Sequence, residues 1–136
     1  MLKNIMCPID GSDCSFRALQ HAAQLAKHLN AQLTVLIVVE FVVGRKDTLV
    51  NWDKQTIQSM QDQANQIATA AGVLETNIIV EKSRDVSFTI VDCAIEKDMD
   101  LIVMGASGKG GFKSFMLGSI SNDVVRKSAC PVTIVH

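Results

Sequence analysis

Residues 33–39 are apolar at every position except Thr34, and most of their side chains are branched at Cβ. A strand with one solvated face alternates apolar and polar residues, whereas a continuous apolar run is typical of a strand buried on both faces. Such strands belong to parallel sheets, whose crossover connections place helices over both faces. This segment therefore predicts an α/β protein.

The remainder of the chain alternates strand-like and helix-like patterns. Apolar runs predict further strands over residues 2–6, 77–81, 100–104 and 131–135. Apolar residues spaced by three and four predict helices from Ser12 or Asp13 to Asn30, and over residues 57–71, 88–95 and 120–125. This order predicts a single domain over residues 1–136, an open five-stranded parallel sheet with helices on both faces in a Rossmann-like three-layer sandwich.

Residues 44–53 form a polar excursion between the second strand and the second helix. We interpret residues 47–54 as a cover beside that helix. The excursion contains the only tryptophan of the chain, Trp52. Either a hydrophobic staple of the helix or a lid and partner contact fits this residue, and the sequence leaves both open.

The charge balance and the aromatic content exclude several classes of partner. The chain has thirteen basic and fourteen acidic residues, for a net charge of -1. A general nucleic-acid binder instead needs clusters of Lys and Arg. Aromatic residues make up 4% of the chain, which is too few for base-stacking platforms. No apolar run approaches the roughly 18 residues of a membrane span. We therefore expect neither a nucleic-acid nor a membrane partner.

Four cysteines, Cys7, Cys14, Cys93 and Cys130, form no C-x-x-C pair and no zinc-finger spacing. A core of this size needs no disulfide framework, so we interpret them as small buried residues in a cytoplasmic protein. Cys7 and Cys14 flank a predicted turn, and a redox role for this pair stays open.

The strongest functional signal is a glycine-rich stretch over residues 105–118, which holds five of the eight glycines, two lysines (Lys109 and Lys113) and no acid. It begins at the carboxyl end of a buried strand and ends at a helix start, beside Ser119. Glycine lets backbone N–H groups approach oxygens closely, and a helix N-terminus attracts anions. The stretch therefore favours a polyphosphate site over a simple surface loop, although it is neither a P-loop nor a G-x-G-x-x-G motif.

The spacing G-x2-G-x9-G-[ST], formed by Gly105, Gly108, Gly118 and Ser119, resembles the nucleotide-binding motif of the universal stress protein family, in its ATP-binding branch. Residues 7–12, 100–105 and 130–135 are similar to that family's opening segment, fourth strand and closing strand. The resemblance covers essentially the whole chain and implies an adenine nucleotide alpha hydrolase-like fold.

The resemblance implies an ATP site at the ends of three strands. Val38 or Val39 would meet the adenine through backbone groups, and a magnesium or manganese ion would accompany the triphosphate, with Asp10 near the ribose or the metal. The remaining positions that match the family's site are Pro8, Ile9, Met104, Gly105, Gly108, Gly118, Ser119 and Ile120, and Lys109 would add a positive charge beside them.

Two positions depart from the family pattern. Arg84-Asp85-Val86 stands where members often carry G-x-P, and Arg84 could reach a phosphate or crowd the cleft. Ser107 replaces a His or Arg, which removes one phosphate or base contact.

We expect a nucleotide-dependent regulatory or stress-response module, because no water-activating base or arginine finger is evident. A non-nucleotide interaction protein of the same fold is one alternative, and a slow ATPase or self-phosphorylating switch is another. The apolar closing strand, Val132–Val135, would pair across a two-fold axis in a homodimer, as the resemblance implies.

Overall fold

The computed structural model describes residues 1–107 and 117–136, in which strands and helices alternate. The strands are β1 (Asn4–Ile9), β2 (Gln32–Val43), β3 (Thr48–Val50), β4 (Thr76–Ser83), β5 (Leu101–Gly105) and β6 (Val132–Val135). The helices are α1 (Asp13–Leu29), α2 (Lys54–Ala70), α3 (Val86–Glu96) and α4 (Ser119–Lys127).

Five of these strands form a parallel sheet in the order β4-β2-β1-β5-β6. The chain builds outward from β1 to β4 on one side and then returns to place β5 on the other side of β1. The strand order therefore reverses between β1 and β5, the position at which open α/β sheets bind ligands. This arrangement confirms the predicted α/β class and the parallel sheet.

Helices cover both faces of the sheet, as predicted. On one face, α1 and α2 pack through residues such as Leu19 and Ala64 against Val35 of β2. On the other face, α3 and α4 contribute Ile90 and Val124 to a second core that contains other β2 residues. Because successive strand residues point to opposite faces, the uninterrupted apolar run of β2 fills both cores.

The segment between β2 and α2 differs from the sequence prediction. β2 continues to Val43, and β3 pairs antiparallel with this extension, from Phe41 opposite Val50 to Val43 opposite Thr48. The sheet thus gains a sixth, short strand where a polar excursion was predicted. Glu40 interrupts the apolar run in the sequence, and three residues are too few for β3 to show a period.

The helix predicted over residues 88–95 is confirmed as α3, although two of its large apolar residues are exposed. Phe88 and Ile95 are 62% and 57% exposed, whereas Ile90, Cys93 and Ala94 face the sheet. Ile90 thus packs in the core together with the smaller Cys93 and Ala94, whereas Phe88 and Ile95 lie outside it.

The cysteines are free thiols, and Cys7, Cys14 and Cys93 are buried while Cys130 is partly exposed. Complete burial raises the pKa of the Cys7 thiol well above its ordinary value, which disfavours the reactive thiolate. Cys14 donates a hydrogen bond from Sγ to the Val135 carbonyl at 3.3 Å. The burial of Cys7 and the hydrogen bond of Cys14 are typical of cysteines that pack in a protein core. Within residues 1–107 and 117–136, no helix is long and apolar enough to cross a membrane.

Candidate functional site

A cleft of about 330 Å³ opens where the strand order reverses, beyond the carboxyl ends of β1, β2 and β5. Ligand pockets in proteins commonly enclose roughly 300–1,000 Å³, so this cleft has the size of a small-molecule site. Its walls come from these strand ends, from α3, from the start of α4 and from the segment that links β3 to α2. The lining residues are Pro8, Ile9, Asp10, Ser15, Leu36, Val38, Glu40, Asn51, Trp52, Val86, Ile90, Met104, Gly105, Ser107, Gly118, Ser119, Ile120 and Ser121.

The structure brings together at this cleft most of the residues predicted for the site. They are Pro8, Ile9, Asp10, Val38, Met104, Gly105, Gly118, Ser119 and Ile120. Val39, the alternative to Val38, is not among the lining residues, and its side chain belongs to the core beneath α1 and α2. Gly108, Lys109 and Lys113 lie outside the described residues.

Asp10 is held in a tight turn between β1 and α1. Its Oδ1 accepts a hydrogen bond from the Ser12 N–H at 2.9 Å, and its own N–H donates to the Ser15 hydroxyl at 3.4 Å. Gly11 takes a positive φ of 83° between them, a conformation that glycine adopts without strain. The turn therefore fixes a carboxylate at the mouth of the cleft, directly above β1.

The first turn of α4 faces the cleft, and its N-cap residue, Gly118, makes no side-chain cap hydrogen bond. A side-chain oxygen caps each of the other three helices, from Ser12 for α1, Asp53 for α2 and Asp85 for α3. Gly118, at the start of α4, has no such group. The first backbone N–H groups of a helix lack intrahelical partners and carry a partial positive charge. The α4 terminus can therefore receive an anion.

The backbone around this terminus is firmly tied to the end of β5. Gly118 donates its N–H to the Ala106 carbonyl at 2.7 Å, and the buried Ser121 hydroxyl donates to the same carbonyl at 2.8 Å. These bonds fix the orientation of the first α4 turn relative to the strand ends. An anion bound there would meet donors already in position.

The packing of α1 against β5 explains why residue 105 is a glycine, which the motif alone does not reveal. A Cβ at this position would lie 3.0 Å from Cys14 Sγ and 3.1 Å from the Cys14 backbone carbonyl. The close approach of α1 to β5 thus favours glycine here, because a side chain would have to displace Cys14 by a few tenths of an ångström. Gly105 also lines the cleft, so one residue serves both the packing and the wall.

The opposite end of the cleft is largely apolar. Leu36 and Val38 from β2, Val86 and Ile90 from α3, and Trp52 line it, and the polar residues Glu40 and Asn51 line the cleft from the same elements. Of these residues, only Val38 was predicted for the nucleotide site, and Trp52 was predicted as either a helix staple or a lid and partner contact. No local signal marks Ile90, because it enters the cleft from an element distant in sequence, whereas Val86 belongs to the turn that the family resemblance places beside the cleft. For Trp52 the only available signal was a lone aromatic residue within a polar segment.

Arg84 is not among the residues that line the cleft. Its guanidinium lies 5.7 Å from the centroid of the Phe41 ring, a cation–π distance. The neighbouring Asp85 caps α3 by accepting from the Phe88 N–H at 3.1 Å, and this bond lowers the pKa of the Asp85 carboxyl. At the positions that depart from G-x-P, Arg84 therefore contacts the extension of β2 and Asp85 caps the start of α3.

No group of three or more His, Cys, Asp and Glu side chains capable of holding a metal ion occurs in the described part of the chain.

Residues 1–136 match the sequence model of the Universal stress protein family. The chain belongs to this family. It is 34% identical to a universal stress protein of Methanocaldococcus jannaschii over 99% of this chain and 82% of the relative. It is 33% identical to universal stress protein YxiE of Bacillus subtilis, with both chains covered completely.

A solved structure, a universal stress protein in complex with cAMP, superposes on this universal stress protein with a TM-score of 0.79. The two chains are 27% identical, and the alignment covers 98% of this chain and 97% of the other. The α/β fold with its central parallel sheet is therefore shared with a member of the same family.

Proposed function

We propose that this universal stress protein binds an adenine nucleotide in the cleft and that ATP is the ligand it takes as a regulatory module. The observation that carries the proposal is the chemical difference between the two ends of the cleft. The apolar end lies over β2 and α3, and the uncapped α4 terminus lies beyond β5. β2 and β5 flank β1, so these ends are two strand spacings apart, about 10 Å.

A nucleotide matches this arrangement because it has an aromatic base at one end and anionic phosphates at the other. The base would lie against Leu36, Val38 and Ile90, with its polar edge toward the backbone of β2. The phosphates would accept hydrogen bonds from the N–H groups of Ser119 and Ile120 and from the Ser119 hydroxyl. The cAMP complex of a relative with 27% identity supports an adenine nucleotide as the ligand class.

A magnesium or manganese ion fits this proposal only as part of the nucleotide complex. The Asp10 carboxylate is a hard oxygen ligand of the type both ions prefer. Phosphate oxygens would supply further ligands, and the ion would offset charge that the α4 terminus does not neutralise. Gly108 and Lys109 are proposed to assist the phosphates.

We propose regulation by binding in place of efficient hydrolysis. The lining residues within the described part of the chain include no Arg, Lys or His. An arginine that stabilises the transferring phosphoryl group accelerates hydrolysis by several orders of magnitude. ATP turnover slower than about one per second is therefore expected, and phosphate release measured with the purified protein above that rate would favour a switch that consumes ATP.

Calorimetric titration tests the proposed binding. We expect saturable binding of Mg-ATP, weaker binding of cAMP because its single charge makes less use of the α4 terminus, and adenine nucleotide in extracts of the freshly purified protein. GTP serves as the control for the base. No heat of binding at millimolar ATP, together with nucleotide-free extracts, would contradict the proposal.

A further inference from the structure

We propose that Trp52 is the residue that selects a planar aromatic base, by stacking on the ring at the apolar end of the cleft, and that Asn51 positions it. The inference rests on the proposed nucleotide function and assigns a specificity role to the segment between β3 and α2. Trp52 is half-buried, lines the cleft and also packs against the core beneath α1 and α2. Part of the indole is therefore anchored while part faces the ligand space.

Two backbone-directed hydrogen bonds hold the segment before Trp52 to the end of β2. The Asn51 N–H donates to the Glu40 carbonyl at 3.0 Å, and the Glu40 N–H donates to Asn51 Oδ1 at 3.1 Å. The pairing of Phe41 with Val50 continues the same connection. The residue preceding Trp52 is thus fixed to the strand that forms the apolar wall.

The residue after Trp52 is fixed as well. Asp53 caps α2 by accepting from the Thr56 N–H at 2.8 Å, and this bond is the main cause of the lowered pKa of the Asp53 carboxyl. The backbone is thereby restrained on both sides of the indole. A restrained aromatic ring loses little conformational freedom when a ligand stacks on it, which favours binding.

The composition of the cleft makes this ring distinctive. The chain has one tryptophan and no tyrosine, and among the lining residues in the described ranges Trp52 is the only aromatic one. Aliphatic walls such as Val38 and Ile90 contact any apolar group, whereas an indole face adds a preference for planar π systems. Selectivity for a base over other apolar groups then depends on this residue.

A matched pair of variants separates stacking from simple apolar packing. Trp52→Phe keeps an aromatic face and Trp52→Leu keeps only apolar bulk. We expect Trp52→Phe to bind ATP within about threefold of the wild type, and Trp52→Leu about tenfold more weakly. Equal ATP affinities for the two variants would overturn the stacking role and leave Trp52 as a helix staple.

Fluorescence of the unaltered protein gives a second measurement that needs no variant, because Trp52 is the sole indole. ATP should change its emission, whereas inorganic tripolyphosphate, which has no base, should leave it unchanged. An emission unaffected by saturating ATP would overturn the inference while the proposed function stands. If the wild type bound no ATP in the calorimeter, both would fail.

Asn51→Ala tests the positioning role. Loss of the Oδ1 acceptor should shift the emission of Trp52 to longer wavelength, as the ring becomes more exposed, and should weaken ATP binding a few-fold. Asn77→Ala, on the exposed side of β4, is the control and should leave both unchanged. An unshifted emission with unchanged ATP affinity in Asn51→Ala would show that Asn51 does not position the indole.

Discussion

Gly105 and Gly118 belong to one sequence motif but meet different constraints in the structure. At Gly105 the space for a side chain is filled by Cys14 of α1, at 3.0–3.1 Å. At Gly118 the nearest atoms would lie 3.5 Å from a Cβ, which is ordinary contact, and the φ of −65° suits any residue. The first glycine permits close packing of α1 on β5, and the second provides no side-chain cap for α4.

Gly105→Ala should therefore lower the free energy of unfolding by about 1–3 kcal/mol, since the clash involves backbone atoms that move only with α1. Urea denaturation measures this loss. Gly118→Ala is the matched control and should lose clearly less. Equal losses in the two variants would show that α1 can shift to accommodate a methyl group.

Helix caps are the feature that most distinguishes the elements around the cleft. α1, α2 and α3 each have one first-turn N–H bonded to a cap side chain, that of Ser12, Asp53 and Asp85 respectively, while α4 begins at a glycine. A side-chain cap on α4 would compete with phosphate for the same N–H groups. Stability and nucleotide binding are thus expected to oppose each other at this terminus.

Gly118→Asp tests this opposition. The new carboxylate should raise the free energy of unfolding by up to about 1 kcal/mol, as an N-cap near the positive end of α4, yet weaken ATP binding at least tenfold. Gly118→Asn, a neutral cap, should weaken binding less. Denaturation and calorimetry on both variants decide the matter, and wild-type affinity in Gly118→Asp would refute phosphate binding at α4.

The α3 cap makes stability depend on pH in the acid range. The bond from the Phe88 N–H lowers the pKa of Asp85 below its ordinary value of 3.8, so its stabilising effect is complete above that value and is lost as the pH falls through the lower folded pKa. An asparagine side chain would cap α3 without titrating. We expect Asp85→Asn to match the wild type at pH 7 and to lose less stability in urea at pH 3; an identical pH dependence would contradict this.

The sequence predicted the elements that have a strong hydrophobic period and missed those determined by tertiary contacts. The apolar run of β2 correctly indicated a doubly covered strand. β3 escaped prediction because its three residues are defined only by pairing with Phe41–Val43. Likewise, Asn51 and Ile90 reach the cleft from segments far from the glycine motif, and no local pattern marks them as neighbours of Val38.

At the scale of the whole molecule, β6 is an edge strand of the sheet, and its four residues are half-buried. The Val135 carbonyl accepts a hydrogen bond from the N–H of Ala106, the residue that follows β5. Backbone groups of successive strand residues point to opposite sides of the strand, so those of Thr133 also point toward β5. Those of Ile134 point outward, away from the sheet. An apolar edge of this kind favours pairing with a second copy. We propose a homodimer joined through β6.

Proline substitutions on β6 test this dimer. Ile134→Pro removes an outward N–H and should give a folded monomer, because proline is tolerated on the free side of an edge strand. Thr133→Pro removes an N–H directed to β5 and should instead lower the melting temperature. Light scattering at micromolar concentration should find the wild type dimeric, and a monomeric wild type would contradict the proposal.

A crystal structure of the protein grown with Mg-ATP would locate both the base and the phosphates. We predict the base over β2, between Val38 and Trp52, and phosphate oxygens within hydrogen-bond distance of the N–H groups of Ser119 and Ile120. A cleft that remains empty at saturating ATP, or phosphates located away from the start of α4, would contradict this prediction.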